Sequence, residues 1–197
     1  VLEEIGYQDS GFATTIGACS LSYEPISQFG TDEQKALFGK YIVDGGLAAF
    51  ALTEADAGSD VANARTTAVH EGHEWVINGT KCFITNAPLA SVFTVFAVTT
   101  PDAGTHGLSC FIVERDRPGI SVGKEVIFDN VRVPEDRLVG KEGSGFKMAM
   151  STFDITRPAG VGASCCGAMK SCIDKCLEYA ATRITFGQPI LTNQAIQ

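Results

Sequence analysis

The chain has 197 residues, 45% of them hydrophobic and 19% charged, which is enough apolar material for a core and outside the range of disordered sequences. Fifteen Lys and Arg against 23 Asp and Glu give a net charge of −8, which argues against a phosphate-tracking DNA or RNA surface while leaving room for one basic pocket. No run reaches the roughly 18 apolar residues of a membrane span, and Val1-Leu2-Glu3-Glu4 lacks the basic-then-apolar grammar of a signal peptide, so a soluble, intracellular chain is expected.

Leu2, Ile5 and Gly6 are spaced like the last turns of a helix, so the chain is expected to be a piece of a longer protein. Residues 11–29 are apolar without period-two alternation and predict a buried helix closed by Gly30. Thr31-Asp32-Glu33-Gln34 is a capping-box pattern, opening a helix through Leu37, Phe38, Tyr41 and Ile42 to Gly45-Gly46. Strand patterning follows from Leu47. Residues 48–53 form a short apolar run, and residues 67–70 and 75–77 are joined across Glu71-Gly72-His73 as a hairpin. Asn78-Gly79 predicts a second hairpin turn leading into a strand over 81–85, and further strands are expected over 92–99, 108–114 and 126–133. After Gly140 helical spacing returns from Phe146 to about Thr182, with Pro158 expected to kink it and Gly187 with Pro189 to stop it.

The expected class is α+β: a helical segment over 1–46, a central antiparallel β-barrel or sandwich over 47–140, and over 141–197 the long helix of an incomplete bundle. Seven cysteines, an odd number, fit reduced thiols better than a disulfide framework. Cys172 and Cys176 stand four apart with no histidine near in sequence, so they read as small buried helix residues rather than metal ligands. His70 and His73 are expected on the hairpin surface and His106 in a loop.

Two segments carry chemistry. In Leu52-Thr53-Glu54-Ala55-Asp56-Ala57-Gly58-Ser59-Asp60 an apolar strand ends in a loop of small residues, which exposes backbone amides and hydroxyls to a flat ligand or a phosphate, or merely turns the chain. Along Lys81-Cys82-Phe83-Ile84-Thr85-Asn86, read as a strand, Phe83 and Thr85 share a face and offer one ring and one hydroxyl to a conjugated heterocycle, or else serve as core and strand filler.

Together these segments, with Asn78-Gly79-Thr80-Lys81, resemble the flavin-binding β-domain of the acyl-CoA dehydrogenases. The resemblance continues through Gly107-Leu108-Ser109, Pro118-Gly119-Ile120 and Phe128-Asp129-Asn130-Val131-Arg132-Val133-Pro134. It reaches Phe153-Asp154 with Arg157 and Arg183-Ile184-Thr185-Phe186-Gly187-Gln188-Pro189, covering nearly the whole chain and standing closest to the short- and medium-chain members. It implies FAD as cofactor, held by Leu52, Thr53, Gly58, Ser59, Phe83 and Thr85, with Thr53 on the pyrimidine edge of the flavin and Ser59 at the pyrophosphate. It gives Arg183, Thr185 and Phe186 to the FAD of a neighbouring subunit, and Ser59, Phe153, Asp154 and Arg157 to the acyl-CoA substrate. Alternatively, Asp154 and Arg157 merely pair along a helix.

The resemblance implies α,β-dehydrogenation of an acyl-CoA to the 2-enoyl-CoA in fatty-acid β-oxidation. Electrons would pass to electron-transferring flavoprotein from a homotetramer in the mitochondrial matrix or, in a bacterium, the cytoplasm. Two departures stand out. Between Lys124 and Glu125 the sequence lacks a stretch with Gly, Ser, Thr and Arg that the family uses against flavin and thioester. Since a deletion there would remove a strand, the stretch is expected to be left out of this sequence, the alternative being a true deletion. Where a minority of members carry a catalytic Glu just before the Arg, this chain has Thr156, so the base is expected beyond Gln197. The alternatives are a non-catalytic flavin-binding or assembly subunit of the same fold and an acyl-CoA oxidase-like relative.

Overall fold

The computed structural model of the protein describes all of residues 1–197. They form two compact units, one of residues 18–156 and one of residues 1–17 with 157–197. No helix is long and apolar enough to cross a membrane.

The larger unit takes in α2 (Ser10–Phe29) from residue 18 onward and α3 (Asp32–Val43), whose capping box forms as the sequence predicts. The Thr31 hydroxyl accepts from the Gln34 amide at 3.2 Å, and the Thr31 amide donates to the Gln34 side chain at 3.0 Å. The Gln34 amide group also donates to the carbonyls of Asp136 and Leu138 at 2.6 and 2.8 Å, so one cap ties the helix to the loop after the last long strand.

Seven strands make one sheet: β1 (Leu47–Ala51), β2 (Thr67–Glu71), β3 (Glu74–Cys82), β4 (Ala90–Val98), β5 (Leu108–Glu114), β6 (Ile120–Val122) and β7 (Glu125–Pro134). Pairing is antiparallel except where β1 and the start of β2 run parallel to β4. The sheet is the curled half-barrel of the expected α+β fold, buried on two faces. On the inner face Phe93, Val95, Phe111 and Val113 meet Trp75, Ile77, Phe128, Val131 and Val133. On the outer face Val92, Phe96, Cys110 and Ile112 meet Ile26 of α2, Phe38 of α3, and Met148 and Ala149 of α4 (Gly145–Thr156). Burial on both faces explains why β4 and β5 read as nearly continuous apolar runs rather than alternating ones.

Three sequence expectations are corrected. Asn78-Gly79 makes no hairpin: β3 runs straight through it, and the register against β7 slips between Ile77↔Val131 and Gly79↔Phe128. That slip is a β-bulge, at which the Asn130 amide donates to the Asn78 side chain at 2.8 Å. Gly79 has φ +151°, and a Cβ there would lie 2.6 Å from the Thr66 Cα, so the glycine serves a close crossing of chains. Second, the strand expected over 81–85 ends at Cys82, and residues 85–89 form turns. Third, Cys172 and Cys176 are exposed, not buried.

Between β6 and β7 the chain passes without interruption through Gly123 and Lys124, with the Gly123 amide donating to the Glu125 carbonyl at 2.9 Å.

In the smaller unit α1 (Leu2–Gln8) packs on α5 (Ala163–Thr182). Backbones nearly touch there: a Cβ on Gly167 would sit 2.7 Å from the Tyr7 amide nitrogen. The Tyr7 hydroxyl donates to Asp174 at 2.9 Å, and Lys170 lies over the Tyr7 ring at 5.5 Å. Residues Arg157–Gly162 form a π-helical turn before α5, at the Pro158 predicted to interrupt the helix, because proline has no N–H for the α-helical ladder. Past Thr182 the chain makes a small hairpin, β8 (Ile184–Thr185) and β9 (Gln188–Pro189), whose two turn residues Phe186 and Gly187 have φ +52° and +81°.

Candidate functional site

Where β1 ends, Leu52 turns its side chain into the outer core and Thr53 is half-buried. Glu54 and Ala57 then close a tight turn with reciprocal backbone bonds of 3.1 and 3.2 Å, leaving Gly58, Ser59 and Asp60 exposed. A Cβ on Gly58 would meet nothing within 4 Å, so the loop presents open backbone rather than a packed corner.

The end of β3 lies against this loop. The Cys82 amide donates to the Thr53 carbonyl at 3.0 Å. Lys81, wholly buried, donates through Nζ to the Leu52 carbonyl at 3.0 Å and to Glu54 Oε1 at 2.7 Å. Glu54 also accepts the Arg65 amide at 2.7 Å and the Thr66 amide at 3.1 Å. Burial pushes the Lys81 ammonium below its ordinary pKa against the pull of Glu54. Burial alone would raise the Glu54 carboxyl, but Lys81 and the backbone donors outweigh it and hold the group below the usual carboxylate range.

Immediately past this clamp stands Phe83, with φ +57° and 87% of its surface exposed. A bulky side chain in the left-handed region is strained, and here no burial of the ring compensates. The alternative reading of Phe83 as core is thereby excluded. Thr85 is exposed on the following turn, and Asn86, with φ +68°, anchors that turn by donating to the Ala48 carbonyl at 3.1 Å. Phe83 and Thr85 therefore project from a turn pinned at both ends, to Thr53 and to Ala48.

On α4 the Phe153 ring lies 5.8 Å from Phe50, partly buried against the outer core, and Asp154 is exposed. In the smaller unit Arg157 is exposed and opens the π-helical turn. There too Arg183 is exposed, Thr185 is half-buried and Phe186 is fully exposed. Phe83 and Phe186 are the two aromatic residues with left-handed backbone. The structure thus joins Leu52 and Thr53 to the strand end that leads into Phe83 and Thr85, and the larger unit also holds Gly58, Ser59, Phe153 and Asp154, while Arg157, Arg183, Thr185 and Phe186 belong to the smaller.

Sequence reasoning missed Lys81 and Asn86. No local signal marked Lys81, because Asn78-Gly79-Thr80-Lys81 reads as a polar strand end and Glu54 lies 27 positions away. No cluster of three His, Cys, Asp or Glu side chains suited to a metal ion is present.

Comparisons with known proteins point one way. Residues 49–127 match the acyl-CoA dehydrogenase middle domain and residues 143–197 the acyl-CoA dehydrogenase C-terminal domain. The chain is 42% identical over 191 residues to an acyl-CoA dehydrogenase of Bacillus subtilis, covering 90% of this chain and 50% of that protein. It is 41% identical over 212 residues to the acryloyl-CoA reductase (NADH) of Anaerotignum propionicum, covering 100% of this chain and 54% of the relative. The butyryl-CoA dehydrogenase structure from Megasphaera elsdenii superposes with a TM-score of 0.95 at 38% identity, covering 99% of this chain and 55% of that one. The chain spans about half the length of the curated relatives it matches. An alignment of 212 positions against 197 residues leaves at least 15 positions without a counterpart here.

Proposed function

Since the chain belongs to the acyl-CoA dehydrogenase family, we propose that it carries the flavin-holding part of an FAD-dependent enzyme that desaturates an acyl-CoA thioester between its α and β carbons. The observation that supports this most is Phe83, an exposed ring in a strained backbone, fixed beside half-buried Thr53 and a loop of small residues. A flat heterocycle would cover the ring, and covering it would recover the apolar area that the chain alone leaves in water. The residues present therefore fit FAD.

In this proposal Thr53, with the backbone at Leu52, bonds the pyrimidine edge of the flavin, Phe83 lies against the ring system, Thr85 donates to its reacting side, and Gly58 and Ser59 receive the pyrophosphate. FAD, when bound, supplies the hydride acceptor. Arg183, Thr185 and Phe186 serve the FAD of a neighbouring subunit in a homotetramer. Ser59, Phe153, Asp154 and Arg157 line the CoA arm, and the electrons pass to electron-transferring flavoprotein. Thr156, whose hydroxyl is engaged with the Thr152 carbonyl at 2.8 Å, is no proton acceptor. The glutamate that removes the α-proton is proposed to follow Gln197 in the full-length protein. A fatty-acid β-oxidation role, in the mitochondrial matrix or the bacterial cytoplasm, goes with this reading.

One observation favours the second reading, a flavin-binding subunit without turnover. The tight turn at Gly123–Lys124 stands beside the strand end that carries Phe83, because Glu125 pairs with Cys82, and it leaves no room in the chain for the Ser- and Thr-bearing stretch of the family. Anaerobic addition of short- to medium-chain acyl-CoAs to the purified full-length protein decides between the readings. Bleaching of the flavin absorbance supports the dehydrogenase, and bound flavin that no acyl-CoA bleaches supports the subunit. A protein that neither contains nor takes up flavin rejects both.

A further inference from the structure

We propose that Lys81 is a positioning residue for the flavin: its buried ammonium holds the Thr53 end of the loop and the Phe83 end of β3 at one fixed spacing. The inference rests on the flavin-binding reading given above. Its ground is the order of the contacts. From one side chain, Nζ reaches the Leu52 carbonyl at 3.0 Å and Glu54 Oε1 at 2.7 Å, the residues immediately before and after Thr53. The next residue along β3, Cys82, donates its amide to Thr53 itself at 3.0 Å. Residues 52, 53 and 54 are thus gripped in succession by 81 and 82, and the residue that follows is Phe83.

Glu54 extends the clamp to a third segment through the amides of Arg65 and Thr66, at 2.7 and 3.1 Å, where Gly79 lets the chains cross within contact distance. The three segments 52–54, 65–66 and 81–83 are thereby joined around one buried charge pair. Stability alone gives no reason for an ion pair here, because a well-packed apolar pair of similar volume is usually as stable as a buried salt bridge or more so. An apolar pair would also exclude water, but its contacts are non-directional and would let the loop shift relative to the strand. Two directed bonds from a single ammonium do not allow that, and donors aimed at a reacting ring must be held to a fraction of an ångström to be effective.

The test uses the full-length protein with FAD and compares the parent, Lys81→Met, and the double variant Lys81→Met with Glu54→Gln. Lys81→Met strands a buried carboxylate and lowers the thermal midpoint, whereas the double variant buries no unpaired charge and regains part of the loss. If Lys81 positions the flavin, the double variant still shows a displaced visible flavin spectrum, a shifted flavin potential and flavin reduction by acyl-CoA slowed ~10-fold or more, with KM changed far less than kcat. A double variant that folds with the parent's spectrum, potential and kcat overturns the proposal and leaves the pair a purely structural one. If Lys81→Met does not fold, the double variant decides alone. A parent protein that takes up no FAD overturns the flavin reading and this inference with it. A parent with bound flavin and an indifferent double variant overturns the role of Lys81 only.

Discussion

Phe83 concentrates the tension between stability and function in one residue. Its backbone sits at φ +57°, where any side chain with a Cβ is strained by about 1 kcal/mol or more, and its exposed ring contributes no core packing in return. Phe83→Gly is therefore expected to leave the denaturant midpoint unchanged or raise it, while FAD retention in the full-length protein falls. A loss of stability in urea melts together with normal FAD retention would count against both halves of the argument. Thr85→Ala follows the same logic: an exposed hydroxyl costs less than about 0.5 kcal/mol of stability to remove, so the fold should persist while flavin reduction slows. Unchanged reduction kinetics would take Thr85 out of the site. Glu114 is the opposite kind of residue, buried and committed to the fold. It bonds the side chain of Arg117 and, at 2.6 Å, that of Arg137. Burial would raise its carboxyl, but the two guanidinium groups prevail and hold it below the usual range. A carboxyl lowered on folding stabilises fully above its unfolded value of about 4.3 and loses that contribution as pH falls through the folded value. Glu114→Gln is thus expected to lower stability at neutral pH by about 2 kcal/mol and to flatten the decline of stability below pH ~4. Melts of parent and variant across that range measure both.

Among the elements, the bulge in β3 matters most for the site, because it sets where the strand delivers Lys81 and Phe83. Gly79 carries φ +151° and leaves no space for a Cβ beside Thr66. Gly79→Ala should cost about 2 kcal/mol or more, and FAD retention should fall with it, since the crossing of the three segments shifts. Gly123 is the control. It lies in the β6–β7 turn with no atom near its Cβ direction, so Gly123→Ala should leave stability within about 0.5 kcal/mol of the parent. Equal losses at the two positions, measured by thermal melts, would contradict this account of the bulge.

For the whole molecule, the hairpin carrying Arg183, Thr185 and Phe186 makes few demands on its own unit: Arg183 and Phe186 are exposed, and Phe186 is held in a left-handed turn. In the proposed function this turn serves the FAD of a neighbouring subunit. Arg183→Ala in the full-length protein is expected to lower FAD retention and oligomer stability together, with each subunit still folded, as sedimentation and flavin absorbance at low protein concentration would show. Equal FAD affinity in variant and parent would remove the cross-subunit role.

Much of this protein was decided locally and could be read from its residues. The Thr31–Gln34 cap and the helix break at Pro158 depend on groups within a few residues of one another. The loop from Thr53 to Asp60 and the Phe83–Thr85 segment stood out as a candidate site only through their joint resemblance to the family, since each alone also reads as an ordinary turn or strand filler. Tertiary structure decided the rest. Asn78-Gly79 carries a turn signal, yet the pairing of β3 with β7 on one side and the crossing at Thr66 on the other turn it into a bulge. Phe83 leaves the strand because Cys82 and Asn86 are held by Thr53 and Ala48, far away in sequence. The Lys81–Glu54 clamp joins residues 27 positions apart, and no local pattern specifies it. Short-range propensities set what each segment prefers; only the packed sheet, with every buried polar group seeking a partner, decides which preference is kept.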